Sequence, residues 1–302
     1  MKRFAALVAW LWVGWAHAAV HVDDAGRRVE LAAPAQRVIT LAPNLTELVY
    51  AVGAGASLVG TVNTSDYPTQ AKAVERIGDY QRLDVERILS LKPDLILVWL
   101  HGNAGRELAQ LEAAGLRLFY LEPRRLDDVA RSLSRVGALL GGQVQGDQRA
   151  AEMRRALAGL RARHANAAPV RVFHQVWQQP LMTLNDQHLV GEVIALCGGR
   201  NVFGHLPQLV PQLSVEAVVA ADPEVMFTAS ESAAEGGGWR RDPTHRAFAR
   251  WTAFPRLTAV RRGWLYALPG DAISRQGPRI VDGVRAVCAA LDEVRGERDA
   301  RR

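Results

Sequence analysis

Along the chain, short unbroken apolar runs alternate with stretches in which apolar residues recur at helical spacing, and one such unit occurs twice, 130 positions apart. The copies are LDVERILSLKPDLILV at 83–98 and LSVEAVVAADPEVMFT at 213–228. In each, a capping-type residue (Asp84, Ser214) stands two positions before a glutamate (Glu86, Glu216). An apolar helical run follows, then proline (Pro93, Pro223), an acidic residue and a hydrophobic run. The pattern predicts a helix start, a helix stop and a buried parallel strand. A first-turn glutamate complements the positive end of its helix dipole, worth about 0.3–1 kcal/mol. Its repetition in two equivalent units suggests a task shared by both.

The rest of the chain keeps the alternation of an α/β fold. The first half predicts strands at 38–41, 58–62, 95–99 and 116–121, and helices at 46–51 and 106–113. Two helices follow at 126–139 and 148–164, and a new strand begins at 170–176. The second of these helices is rich in Arg and Ala, has no strand partner nearby, and reads as a connection between two lobes. The organisation expected is a signal peptide at 1–18, an N-terminal α/β lobe at 19–140, a connecting helix at 141–168 and a C-terminal α/β lobe at 169–302. A helical connection restrains lobe movement more than a Gly/Ser linker does.

The leader has Lys2 and Arg3, twelve apolar residues from Phe4 to Trp15, and a small-x-small site at Ala16-His17-Ala18. This is secretory signal-peptide grammar, and the run falls short of the roughly 20 residues that span a bilayer. Without Lys2 and Arg3 the formal charge of +6 becomes +4, with no block of like charges, which disfavours nucleic acid as a partner. The two cysteines, Cys197 and Cys288, enter an oxidising compartment. A disulfide joining the end of the helical run at 191–197 to a C-terminal helix at 278–294 is the leading expectation, and two buried thiols are the alternative. In the chain-entropy model a loop this long contributes about 4–5 kcal/mol.

Parallel α/β sheets collect ligands at the carboxyl ends of their strands. Here those ends read Ala42-Pro43-Asn44, Asn63-Thr64-Ser65, Trp99 to Asn103, Val176 to Gln179 and Asp271 to Arg275. They offer rings, amides and hydroxyls without concentrated charge, which suits a large, partly apolar, hydrogen-bonding ligand. Trp99 and Trp177 serve equally well as core or as ligand platform, and their shared strand-end position favours the cleft. His101 beside Trp99 reads as a polar rim residue, with axial ligation of a cobalt or haem iron as the alternative. The histidines show no metal-ligand spacing. The repeated glutamates fall in different lobes, unlike the paired carboxylates of a glycosidase. No nucleophile elbow, phosphate loop or dinucleotide fingerprint occurs, so nothing points to an enzyme.

The motifs RVITLAPNLTEL, SDYP, LDVERILSLKPDLILVW, HGN, LCGGRNVF, PQLSVEAV and GPRIVDGVRAVC, in this order from Arg37 to Leu291, resemble periplasmic substrate-binding proteins of the cobalamin and iron-siderophore ABC importer class. Within it, the cobalamin-binding members are the most similar. The resemblance implies two Rossmann-like α/β lobes joined by a single long helix, with the ligand cleft between them. It implies capture of cobalamin or a related corrinoid in the periplasm and delivery to a permease dimer with its ATPase subunits. It also implies that the protein is a monomer when free and carries no cofactor. A ferric siderophore or haem is the alternative ligand. By the same resemblance Glu86 and Glu216 dock on the permease, Cys197 pairs with Cys288, and Trp99, Asp271 and Arg275 contact the corrin, with Ala272, Ile273 and Ser274 supplying backbone between them. Three aromatic pocket positions of cobalamin-binding members correspond to Thr64, Tyr80 and Val210, so only Tyr80 keeps a ring. Trp177, and Trp239 after the glycines at 236–238, are candidates to replace the lost stacking surface.

Overall fold

The computed structural model describes residues 19–103, 105–230 and 239–300. The expected leader at 1–18 and the glycines at 236–238 lie outside them. A two-stranded antiparallel ribbon, β1 (Ala19–Val22) and β2 (Arg28–Leu31), precedes the first sheet. That sheet is built from β3 (Val38–Thr40), α1 (Pro43–Ala51), β4 (Leu58–Thr61), α2 (Val85–Ser90), β5 (Leu95–Trp99), α3 (Gly105–Ala113) and β6 (Leu118–Leu121). Its four strands run parallel in the order β4-β3-β5-β6. Two helices follow, α4 (Leu126–Leu140) and α5 (Gln143–His164).

The second lobe contains β7 (Val170–Gln175), β8 (Trp177–Gln178), β9 (Leu181–Met182), α6 (Leu189–Leu196), β10 (Gly199–Asn201), α7 (Val215–Ala221) and β11 (Val225–Ser230). It closes with β12 (Arg240–Arg241), α8 (Thr258–Arg262), β13 (Leu265–Pro269), α9 (Gly270–Ser274) and α10 (Ile280–Asp299). Its sheet runs β10-β7-β11-β13-β12, parallel except for β12 at the edge. The fold is therefore α/β with two parallel sheets, as the alternation of elements predicts.

The repeated unit is realised twice with the same local chemistry. The Asp84 carboxylate caps α2 by accepting from the Arg87 N–H at 2.8 Å, and the Ser214 hydroxyl caps α7 by accepting from the Ala217 N–H at 3.1 Å. Both helices end at a non-glycine residue in the left-handed region, Lys92 (φ 45°) and Asp222 (φ 40°), immediately before the prolines. The following strands bury both faces. Leu95 and Leu97 join one core with Val225 and Phe227, while Ile96 faces the outer core under α2 and Met226 the outer core under α7. Strands covered on both sides read as continuous apolar runs, which is why the hydrophobic stretch in each copy does not alternate.

Helices α4 and α5 form a tight hairpin. A Cβ on Gly137 would lie 2.7 Å from the Gly142 carbonyl oxygen, and one on Gly146 would lie 2.6 Å from that of Leu133. Gly146, Ala150, Met153 and Leu157 bury one stripe of α5 at helical spacing. In the C-terminal lobe, Cys197 and Cys288 are disulfide-bonded. Beside them the buried Arg295 donates to the carbonyl oxygens of Cys197 (2.7 Å) and Ala168 (2.9 Å), so α10 is fastened to this lobe covalently and by hydrogen bonds.

Candidate ligand cleft

The N-terminal rim grows from the ends of β3, β4 and β5. Pro43 at the first turn of α1 needs no N–H partner there, which lets the helix start directly after the strand. Under that turn the hydroxyls of Thr40, Thr46, Thr61 and Ser65, all fully buried, bond one another at 2.7–2.9 Å. They hold α1 against the ends of β3 and β4 without any charge. At the end of β5 the Asn103 side chain accepts from the Trp99 N–H (3.0 Å) and donates to the Leu41 carbonyl oxygen (2.8 Å). Gly102 lies flat on the Trp99 indole, and a Cβ there would fall 1.9 Å from the ring. Trp99 is thereby fixed at the strand end, half-buried against the core. His101 remains exposed, with Nδ1 3.1 Å from the Glu122 carboxylate.

The C-terminal rim is organised by Gln175 at the end of β7. It accepts from the Trp251 indole N–H (2.8 Å) and donates to the Ala247 carbonyl oxygen (2.7 Å). This pins the short 3-10 helix Arg246–Ala253 beside the strand ends. A cavity of about 420 Å³ opens there, lined by Trp177, Gln178, Thr228, His245 and Arg246 among others. The Trp177 indole donates to the Gln179 carbonyl oxygen at 2.9 Å and leaves the residue 61% exposed. His245 is held below its ordinary pKa, chiefly by burial, against the opposing charge of Asp242.

Between the rims lies an ion network that joins the lobes. Arg275, just after α9, places Nη1 3.2 Å from Glu47 and 2.7 Å from Asp66, and Nη2 3.0 Å from Asp271. Arg279 donates to both Glu47 oxygens, from Nε at 3.0 Å and Nη2 at 2.6 Å, and lies 4.1 Å over the Tyr67 ring. Glu47, on α1, has a side chain only 2% exposed. Burial acts to raise the Asp66 pKa, but the Arg275 hydrogen bond and charge outweigh it and the carboxyl lies below its usual range. Burial likewise opposes the charge on Arg275 and Arg279, and their carboxylate partners raise both pKa values in spite of it.

The expected site residues divide accordingly. Thr64, Asp271 and Arg275 come together, with Arg275 Nη2 also 3.5 Å from the Thr64 carbonyl oxygen. Trp177, Val210, Ser274 and Tyr80 are exposed, Tyr80 at 66% with its hydroxyl accepting from the Gln81 amide. The Ala272 and Ile273 side chains turn inward, and Ile273 belongs to the core. The Trp239 ring packs against Tyr266, at 5.4 Å between centroids, and is partly buried. Glu86 and Glu216 are exposed and enter no ion pair or hydrogen bond among the described residues. Glu47, Asp66 and Arg279 fall inside the motifs RVITLAPNLTEL, SDYP and GPRIVDGVRAVC, but the resemblance assigns them no role there, and His245 and Arg246 fall in no motif. The one available hint was a glutamate inside α1, where every neighbour from Asn44 to Val49 is buried. Among the described residues no group of three His, Cys, Asp or Glu is placed to hold a metal ion.

A family model described as periplasmic binding protein matches residues 38–272. A vitamin B12-binding protein of Vibrio cholerae is 38% identical over 258 residues, which are 85% of this chain and 90% of that protein. The crystal structure of the periplasmic vitamin B12 binding protein BtuF of Vibrio cholerae superposes with a TM-score of 0.75 at 37% identity, covering 87% of this chain and 98% of that one. The periplasmic heme-binding protein RhuT from Roseiflexus sp. RS-1, in apo form, gives a TM-score of 0.74 at 25% identity, covering 86% and 98%.

Proposed function

Since the chain belongs to the periplasmic binding protein family, we propose that it is the solute-binding component of an ABC importer and captures cobalamin or a related corrinoid between its lobes. It works in the periplasm after loss of residues 1–18, as a monomer, and hands the ligand to a permease dimer driven by ATPase subunits. It performs no reaction. The observation that carries the ligand class is the 38% identity, over 90% of its length, to a protein named for vitamin B12. The heme-binding neighbour has nearly the same TM-score at only 25% identity, so shape alone does not separate the two ligand classes.

In this reading Trp99 and Tyr80 from one lobe, with Trp177 and Val210 from the other, cover the apolar macrocycle. Thr64 and the segment Asp271, Ala272, Ile273, Ser274, Arg275 meet its polar edge. Ala272 and Ile273 contribute only backbone, because their side chains are buried. Glu86 and Glu216 dock one lobe each on the permease. The lobes take residues 19–140 and 169–302, with 141–168 between them.

A thermal-shift screen of the mature protein tests this. Ligand at a hundredfold excess over its dissociation constant stabilises the folded state by about 2.7 kcal/mol. Cobalamin or cobinamide should raise the melting temperature. Stabilisation by haem or a ferric siderophore, with none by corrinoids, would overturn the ligand assignment and leave the family intact.

A further inference from the structure

We propose that Glu47 is a positioning residue, the N-terminal anchor of a clamp that sets the angle between the lobes before any ligand arrives. Its two guanidinium partners, Arg275 and Arg279, both come from the C-terminal lobe, and three of their N–H groups reach its oxygens. A carboxylate this deeply buried is tolerated only while it is paired, because desolvating an unpaired charge is far more costly than leaving it in water. Opening the lobes at this point would remove both partners at once.

The backbone is shaped for the contact. Asn44 on α1 reaches the Gln276 carbonyl oxygen at 3.5 Å, and a Cβ on Gly277 would sit 3.3 Å from the Glu47 carboxylate. Residue 277 therefore lets the two segments approach. Behind the clamp, toward α5, lies a cavity of about 530 Å³ whose walls include Glu47, Tyr67, Met153 and Arg279. The clamp therefore joins the lobes by contacts additional to the covalent connection.

The clamp also has a weak member. Arg275 Nη1 is shared between Glu47 and Asp66, and the Asp66 side chain is 49% exposed while that of Glu47 is sealed. Asp66 is the partner that Arg275 can exchange for a hydrogen-bond acceptor on an incoming ligand while Glu47 keeps its grip. The proposal concerns the empty protein and does not depend on which ligand is bound.

Spin labels at two exposed positions, Ser90→Cys on α2 and Ala220→Cys on α7, report the lobe separation by pulsed dipolar EPR without ligand. The clamp predicts a narrow distance distribution in the otherwise native protein, and one that broadens and lengthens in Glu47→Gln. Arg279→Gln, at a less buried group, should do the same and carries the test if the Glu47 variant does not fold. Native-like distributions in both variants would overturn the proposal. Failure of corrinoids to bind would leave this readout unchanged, so the two claims fail separately.

Discussion

Glu86 on α2 and Glu216 on α7 stand on matching scaffolds, with a side-chain cap before them, a left-handed residue and a proline after them, and a two-faced strand beyond. Beneath the strand ends the two lobes differ. The N-terminal lobe supports its rim with four buried hydroxyls that are neutral at every accessible pH. The C-terminal lobe uses Gln175, Trp251 and a fully buried imidazole, His174, whose Nδ1 has no partner among the described residues. It also carries the disulfide. A repeated exterior on divergent interiors means that the exposed glutamate faces and the chemistry that holds each lobe together can be perturbed separately.

The largest effect should come from the disulfide, which only the C-terminal lobe has. It closes a separation of 91 residues, and in the chain-entropy model its loss costs about 4–5 kcal/mol. Cys197→Ser/Cys288→Ser should therefore show a much lower urea midpoint, and native-state hydrogen exchange should rise first in α6, α10 and the strands they cover. Equal loss of protection in the hydroxyl-supported N-terminal lobe would show that the lobes do not differ in this way.

The next effect concerns acid. Burial, with a smaller contribution from His188, lowers the His174 pKa from 6.5 to about 4. His188 and His245 are lowered too, each chiefly by burial. Between the two values the unfolded chain takes up a proton that the folded lobe refuses, so stability falls as pH drops from about 6.5 toward about 4. For His174 alone the full loss is on the order of 3 kcal/mol. Urea midpoints at pH 7 and pH 5 should differ, and His174→Gln should flatten that dependence whatever it does to the midpoint itself. A slope unchanged in His174→Gln would place the acid sensitivity elsewhere.

Much of this architecture was readable in sequence because it rests on local rules. The repeated cap, proline and apolar run gave α2, β5, α7 and β11, and residues 95–99 form the expected strand. Other features depend on contacts that no local pattern encodes. Helix α5 begins at Gln143, five residues before the expected start, because Gly146 is a packing surface for Gly137 and Leu133 although glycine in isolation disfavours helix. α1 begins at Pro43, where the same residue that reads as a turn is tolerated at a helix N-terminus. The Glu47 clamp joins residues more than 200 positions apart, and the candidate stacking residue Trp239 also packs against Tyr266. The rims were legible as strand ends. The charged bridge between them was not.

The smallest effect on the isolated protein should come from the feature the lobes share. Exposed first-turn carboxylates contribute about 0.3–1 kcal/mol each, so Glu86→Ala/Glu216→Ala should fold and bind ligand much as the native protein does. If, as proposed, these carboxylates dock in basic pockets of a permease, losing one side of a desolvated charge pair costs roughly 2–5 kcal/mol. The most direct test of the account is the affinity of native, single and double variants for the purified permease complex. Docking through both carboxylates predicts a substantial loss in each single variant and no detectable complex for the double variant. Native affinity in the double variant would contradict it.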